Sequence, residues 1–180
     1  YVLDASKVVF LKVTNTLDSF LSNLKLNATQ IYYIYAPALN VYSKSVHITV
    51  GNTDPANPAV SAASLGVPTL GITGRNISLV SYDADDNASF TIPLADTFVN
   101  KDISIDLSFF DVSTDAFVKI CKDAVLDATE SVLLSATSSQ TRGFLPIAAI
   151  NAITVKVGSA KVEVGGTIDA GTNVELDSTG

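Results

Sequence analysis

The sequence predicts an all-β protein, folded as an antiparallel β-sandwich of Ig-like or jelly-roll type with one or two short helices. Apolar and polar residues alternate along several short segments, which is the pattern of strands with one buried face. Gly, Pro, Asn and Asp separate these segments, as expected for turns between strands. Only 16% of the residues are charged, so the polar surface consists mainly of Ser, Thr and Asn. That composition favours an extracellular β protein over a cytosolic enzyme.

The chain begins with an extended segment that holds more apolar surface than a free terminus leaves in water. Its apolar residues are Val2, Leu3, Val8, Val9, Phe10, Leu11 and Val13. This segment can be buried in either of two ways. The segment is either the first strand of the chain's own sandwich or a donor strand that completes the sheet of a neighbouring copy. We interpret residues 1–13 as an N-terminal donor strand and residues 14–180 as one sandwich domain.

The next segments predict a helix followed by strands. In residues 14–27, four apolar residues recur at helical spacing, which indicates a short helix. These residues are Leu17, Phe20, Leu21 and Leu24. Residues 31–36 are apolar on both faces and predict a buried strand. Residues 46–50 alternate, which places His47 on the polar face of a strand.

The second half of the chain is mostly strand-like. Strands are predicted at residues 67–72, 77–82, 89–94, 102–109 and 131–137. Residues 113–128 have apolar positions at helical spacing, so we favour a helix and leave a strand as the alternative. In the last thirty residues, two-residue turns at 158–159 and 165–166 separate alternating segments. This pattern predicts an antiparallel β-meander.

The sequence contains few candidates for catalysis or metal binding, and we predict no enzyme and no metal. His47 is the one histidine and lies on a polar strand face, while Cys121 is the one cysteine and lies among apolar residues. No phosphate-binding, zinc-binding or nucleophile-elbow motif occurs. An acidic run offers oxygen ligands at alternate positions, but it lacks the Gly and Glu of a calcium-binding loop. The run consists of Asp83, Asp85, Asp86 and Asn87.

Several features suggest an exported protein. N-x-S/T sequons begin at Asn27, Asn76 and Asn87, each at a predicted turn or element end, so we expect N-linked glycans on an exported chain. The chain contains no Met and cannot form an intrachain disulfide with one cysteine. We interpret it as a processed form from which a secretory leader has been cleaved. The net charge of −7 and the scattered Lys and Arg argue against nucleic acid or an anionic membrane as partners.

The apolar N-terminal segment, the sequons and the β pattern near the C-terminus together resemble a secreted filament subunit. The chain is similar to the archaeal thread pilins and, as a second candidate, to the TasA-like bundling pilins. This resemblance implies a pilin-like sandwich whose N-terminal strand enters the next subunit of a homopolymer. It also implies a glycosylated cell-surface filament for adhesion or biofilm formation. The alternative is a β-sandwich structural protein of a viral capsid or a surface layer.

Overall fold

Every pair of neighbouring strands that the structure describes is parallel. The computed structural model describes residues 2–4, 8–13, 23–54, 56, 60–85, 112–140 and 156–180. The strands are β1 (Val2–Asp4), β2 (Val8–Lys12), β3 (Asn23–Asn27), β4 (Gln30–Ser45), β5 (His47–Val50), β6 (Leu70–Asp85), β7 (Val112–Ile120), β8 (Ala124–Ala128), β9 (Ser131–Gln140), β10 (Lys156–Val164), β11 (Thr167–Ala170) and β12 (Asn173–Thr179). The prediction of an antiparallel β-sandwich is therefore wrong.

The strands stack in three ladders, which we call faces A, B and C. Face A contains β2, the first part of β4, the first part of β6, β8 and β11. Face B contains β1, β3, the second part of β4, the second part of β6, β9 and β12. Face C contains the start of β4, β5, β7 and β10. The chain passes from face C to face A to face B and then repeats, so the described strands form a parallel β-solenoid.

The described strands form five turns on faces A and B. The first turn consists of β2 and β3, the second of β4, and the third of β5 and β6. The fourth consists of β7 to β9 and the fifth of β10 to β12. Strand β1 lies on face B one position before the first turn, because it pairs with β3.

The core is built from side chains that keep the same register from turn to turn. On face A one apolar stack consists of Leu11, Ile34, Ile72, Leu126 and Ile168. On face B another consists of Leu24, Val41, Ile77, Val132 and Val174. Alternate residues of a strand point to the same side, so an in-register parallel ladder places apolar residues directly above one another. The three middle members of both stacks are at most 1% exposed.

Small and polar residues lie where the chain changes face. Ala36, Gly74, Ala128 and Ala170 occupy one register position at the end of face A. Ser81 is 0% exposed, and its hydroxyl donates to the carbonyl of Val46 and accepts from the backbone N–H of Phe117. This buried hydroxyl therefore joins three successive turns and has its hydrogen-bonding capacity used.

Several predicted elements differ from the observed ones. The described part of the predicted helix at 14–27 is strand β3, where Leu24 stacks on Val41. The favoured helix at 113–128 is also wrong, because this segment contains β7 and β8. The predicted meander is wrong because β10 continues through Gly158 and Ser159, and β10, β11 and β12 each pair with a strand of the preceding turn.

Other predicted elements are confirmed. The strands at 31–36, 77–82 and 131–137 lie within β4, β6 and β9. The strand expected at 67–72 begins at Leu70, because α1 (Ala62–Leu65) and its left-handed C-cap at Gly66 come just before it. The predicted strands at 89–94 and 102–109 lie outside the described residues.

Candidate functional site

The last turn of the solenoid has a neighbouring turn on one side only. β10 pairs with β7, β11 with β8 and β12 with β9, and no described strand pairs with their other edges. Such an edge presents a row of backbone N–H and C=O groups to which another strand can pair. We call this surface, formed by β10, β11 and β12, the open end.

Three large apolar side chains of the last turn are exposed although they occupy core positions. Val164, Val174 and Leu176 are 39%, 44% and 54% exposed. Val174 stacks on Val132, which is 1% exposed. Leu176 stacks on Leu134, which is 0% exposed. The exposure therefore reflects the position of these residues in the last turn, and one further turn of strands would bury them.

The predicted donor strand lies at the opposite end of the solenoid, in β1 and β2 of the chain's own sheet. β1 pairs with β3 and β2 pairs with β4. Leu11 and Val13 pack against the core, and Phe10 stacks on Tyr33 with 5.3 Å between the ring centroids. The outer edges of β1 and β2 have no partner among the described strands. Donation of this segment to a neighbouring copy stays a prediction.

Charged side chains are unevenly distributed along the solenoid axis. The described charged side chains of the first two turns are Lys12, Lys25 and Lys44. In the last turn the described side chains include Lys161 and four carboxylates. These are Glu163, Asp169, Glu175 and Asp177. The described solenoid therefore has a positive first end and a negative last end, which favours contact between unlike ends of two copies.

The carboxylates of the last turn differ in how far they are neutralised within the chain. Glu163 lies 2.8 Å from the ammonium of Lys161 and 3.3 Å from that of Lys119. The hydrogen bond from Lys161, followed by that from Lys119, lowers the pKa of Glu163. Asp169 instead lies in register with Asp127, and both side chains are exposed. Like charges in this position repel each other, so Asp169 would gain from a cation placed beside it.

A shallow groove crosses face B between β3 and β6. Its two adjoining parts have volumes of ≈ 490 and ≈ 500 Å³, and Lys25 and Lys44 line both. Tyr42 and Tyr82, which are 36% and 44% exposed, each line one part. The ammonium of Lys44 lies 6.0 Å from the ring centroid of Tyr82. Two ammonium groups on an open surface can attract an anion, but they do not remove it from water.

No family model, curated protein or solved structure matches this chain. Among the residues with a described position, no helix has the length and apolar character needed to cross a membrane. The open end and the order of charges along the axis are the features from which a function can be inferred.

Two of the three sequon asparagines are described, and their surroundings differ. Asn27 is exposed at the end of β3. Asn76 is half-buried, and its Nδ2 donates to Oδ1 of Asn40 at 2.9 Å and to Oε2 of Glu130 at 2.6 Å. Its Oδ1 accepts from the backbone N–H of Ser131 at 3.2 Å. A glycan on Asn76 would disturb this network, so Asn27 is the more accessible site. Glycosylation at both positions stays a prediction.

The acidic run is only partly described. Asp83 and Asp85 end strand β6, whereas Asp86 and Asn87, which begins the third sequon, lie outside the described residues. The carboxylate of Asp83 accepts from the backbone N–H of Asp115 at 2.8 Å. Among the described side chains, no group of three or more His, Cys, Asp or Glu is arranged to hold a metal ion.

His47 lies on the polar face of β5, as predicted, and its side chain is 52% exposed. Its Nε2 lies 2.9 Å from the carbonyl oxygen of Asp115 and 3.5 Å from the carboxylate of the same residue. These contacts link the third and fourth turns through face C. The geometry is that of a structural contact between turns.

Cys121 follows β7 and is 4% exposed. Burial raises the pKa of its thiol, while the charge of Lys119 acts in the opposite direction. A raised pKa leaves less of the reactive thiolate at neutral pH.

We expect maleimide to modify Cys121 at least about tenfold more slowly in the native protein than in denaturant, as followed by intact-mass spectrometry. Equal rates in the two states would show that the thiol is accessible and contradict its burial.

The residues of the open end and the lysines of the first turns could not be singled out from the sequence. The C-terminal alternating segments were interpreted as strands of an antiparallel meander, and the lysines as scattered charges. The register of the parallel ladders is what brings Lys12 and Asp169 onto one face and Lys25 and Glu175 onto another. The distribution of positive and negative side chains along the solenoid axis can be deduced only once the stacking of the turns is known.

Proposed function

We propose that this chain is a structural subunit that assembles end to end into an extracellular filament. The observation that carries the proposal is the open end, where Val164, Val174 and Leu176 are exposed at core positions beside unpaired strand edges. Assembly would cover Val174 and Leu176 with strands of the next copy. The Ser-, Thr- and Asn-rich composition without an intrachain disulfide is compatible with a secreted polymer.

The apolar side chains alone would hold two copies together only weakly. About half of each side chain remains to be buried, which contributes roughly 1 kcal/mol per residue. Association costs several times that amount. Backbone hydrogen bonds along the joined strands contribute about 0.5–1.5 kcal/mol each, so the ladder contacts must supply much of the stability. We therefore expect assembly to depend on protein concentration.

The order of charges gives the filament a direction. The first two turns present Lys12, Lys25 and Lys44, and the last turn has an excess of carboxylates. Contact between unlike ends joins two different surfaces, which generates an open chain of subunits instead of a closed dimer. The attraction between exposed charges should weaken as salt is added.

Val174→Asp should abolish filaments in negative-stain electron micrographs and leave monomers on sedimentation. The variant places a charge at a position that another copy must bury. Val46→Asp is a matched control, because Val46 is 42% exposed and Val174 is 44% exposed, but Val46 lies in the middle of the solenoid. The control should assemble like the wild type.

Far-UV circular dichroism of both variants checks that each one folds. If the 180-residue chain stays monomeric over the whole concentration range, the filament proposal is refuted. The chain would then be an isolated solenoid that does not assemble end to end. If Val174→Asp forms normal filaments, assembly does not use the open end.

A further inference from the structure

The first and the last of the described strands lie on the same face of the solenoid. Strand β12 is the last on face B, and strand β1 is the first on face B. We propose that β12 of one copy replaces β1 of the next copy and pairs with its β3, while β11 pairs with its β2. This inference rests on the proposed end-to-end assembly and specifies the strands that form the junction.

The described strands of faces A and B permit two ways of joining consecutive copies in register. In the first, the first turn of the next copy, β2 and β3, stacks directly on β11 and β12. Strand β1 of that copy would then occupy the position of β12 and must leave. In the second, β1 stays on β3 and pairs with β12, and β11 and β2 are separated by one empty strand position on face A. The parallel ladders of faces A and B lead to these two alternatives.

The first arrangement offers more backbone pairing. It joins the seven residues of β12 to the five residues of β3, and the four residues of β11 to the five of β2. The second arrangement pairs β12 with the three residues of β1 alone. Each added pair of residues contributes hydrogen bonds that the open end otherwise leaves unmade.

On face B, the side chains of β3 and β12 match in the first arrangement. The existing register places Lys25 of β3 in line with Glu175 of β12. The same register continues the two core stacks across the junction. Val174 would meet Leu24, and Leu176 would meet Leu26. Opposite charges and apolar pairs therefore coincide at three successive positions of β12.

Face A matches in the same arrangement. Ile168 would meet Leu11, which continues the stack of apolar residues. Asp169 would meet Lys12, and this contact offsets the repulsion between Asp169 and Asp127.

The second arrangement pairs β12 with a much shorter strand on face B. There the register of β1 places Val2, Leu3 and Asp4 opposite Glu175, Leu176 and Asp177. A strand of three residues is the weaker partner for β12.

Strand β1 therefore acts as a temporary cover of the edge of β3. A copy in which β1 occupies this edge cannot receive β12. The apparent affinity between copies is therefore the intrinsic affinity multiplied by the fraction of copies whose β3 edge is free. This role is opposite to that of a donor strand. Deleting residues 1–4 should promote assembly under the cover role, and it should prevent assembly if the segment were the donor.

We would measure the protein concentration at which half of the chain sediments as polymer, for the wild type and for the chain lacking residues 1–4. The expected result is an approximately tenfold lower concentration for the deletion variant. An unchanged or higher concentration would overturn the inference. Circular dichroism verifies that the deletion variant folds.

Disulfide trapping tests the register directly. One preparation carries Lys25→Cys and a second carries Glu175→Cys, and the two are mixed under mild oxidation. Neighbouring strands bring the two Cα atoms to about 5 Å, within the range that a disulfide spans. We expect a cross-linked dimer from the mixture and none from either preparation alone. The wild type, in which Cys121 is buried, controls for background oxidation.

A matched pair tests the competing arrangement. Val2→Cys mixed with Glu175→Cys should give no cross-link above background if β12 replaces β1. If this pair is cross-linked and the Lys25 pair is not, β1 stays in place and the inference fails while end-to-end assembly holds. If no preparation assembles at any concentration, the proposed assembly and the inference both fail.

Discussion

Gly71→Ala should prevent folding or lower the free energy of unfolding by more than about 3 kcal/mol. Gly71 lies on β6 and has a φ of +133°, a conformation that L side chains rarely adopt. A Cβ there would also lie 1.8 Å from the carbonyl oxygen of Val125 on the neighbouring strand β8. That oxygen belongs to the backbone of the parallel ladder, so it cannot turn away. Denaturant titration followed by circular dichroism measures the effect.

Gly66→Ala is the matched control for this substitution. Gly66 caps α1 with a φ of +67°, and no atom lies within 4 Å of an added Cβ. An added Cβ would meet no other atom, so the substitution incurs only the cost of the left-handed conformation. We expect the free energy of unfolding to fall by about 1 kcal/mol. Losses of equal size in the two variants would contradict the close approach of β6 and β8 at Gly71.

Leu126→Ala should lower the free energy of unfolding by about 2–5 kcal/mol. Leu126 is 0% exposed and lies between Ile72 and Ile168 in the apolar stack of face A. Truncation removes buried methyl groups from the middle of the solenoid and leaves a cavity that strands on both sides hold open. Denaturant titration of the variant measures this loss in the free energy of unfolding. We expect the dependence of that free energy on denaturant concentration to be unchanged.

Asp127→Ala serves as the control. Asp127 is the next residue of the same strand, and its side chain points to the outside. Asp127 is exposed and lies in register with Asp169. We expect a change within about 0.5 kcal/mol, because no buried contact is lost and one repulsion between carboxylates is removed. If Leu126→Ala costs less than about 1 kcal/mol, the stack is not the close-packed core that its burial indicates.

The strand content could be predicted from the sequence, because alternation is a local property. The strands at 77–82 and 131–137 are found within β6 and β9. Residues 113–128 were ambiguous because their apolar residues fit both a helical face and the inner side of a strand. Partner strands decide the matter here, since Val118 stacks between Ile48 and Val162 on face C. Local spacing carries no information about such partners.

The arrangement of the strands could not be predicted from alternation, which is the same in antiparallel hairpins and in a parallel coil. Gly158 and Ser159 suggest a hairpin turn, yet both lie inside β10. The informative signal is an internal repeat. Residues 125–137 align with residues 167–179 without a gap, and the ladders pair them position by position. Self-similarity over such a distance is typical of stacked turns.

The candidate site was predicted only in outline. The apolar N-terminal segment does pair with strands, but β1 and β2 pair within their own chain. The sequence offered no reason to separate Leu176 from the other apolar strand residues. Its 54% exposure follows from its place in the last turn, and the order of the turns is a property of the whole coil.

The parallel register also sets a length. Neighbouring strands lie about 4.8 Å apart, so five turns span roughly 24 Å along the axis. If copies join without an empty strand position, the spacing of about 4.8 Å continues uninterrupted along the fibre while the subunit repeats every 24 Å or so. An oriented fibre should then scatter X-rays strongly on the meridian at the strand spacing, as cross-β fibres do, although each subunit is folded before it joins.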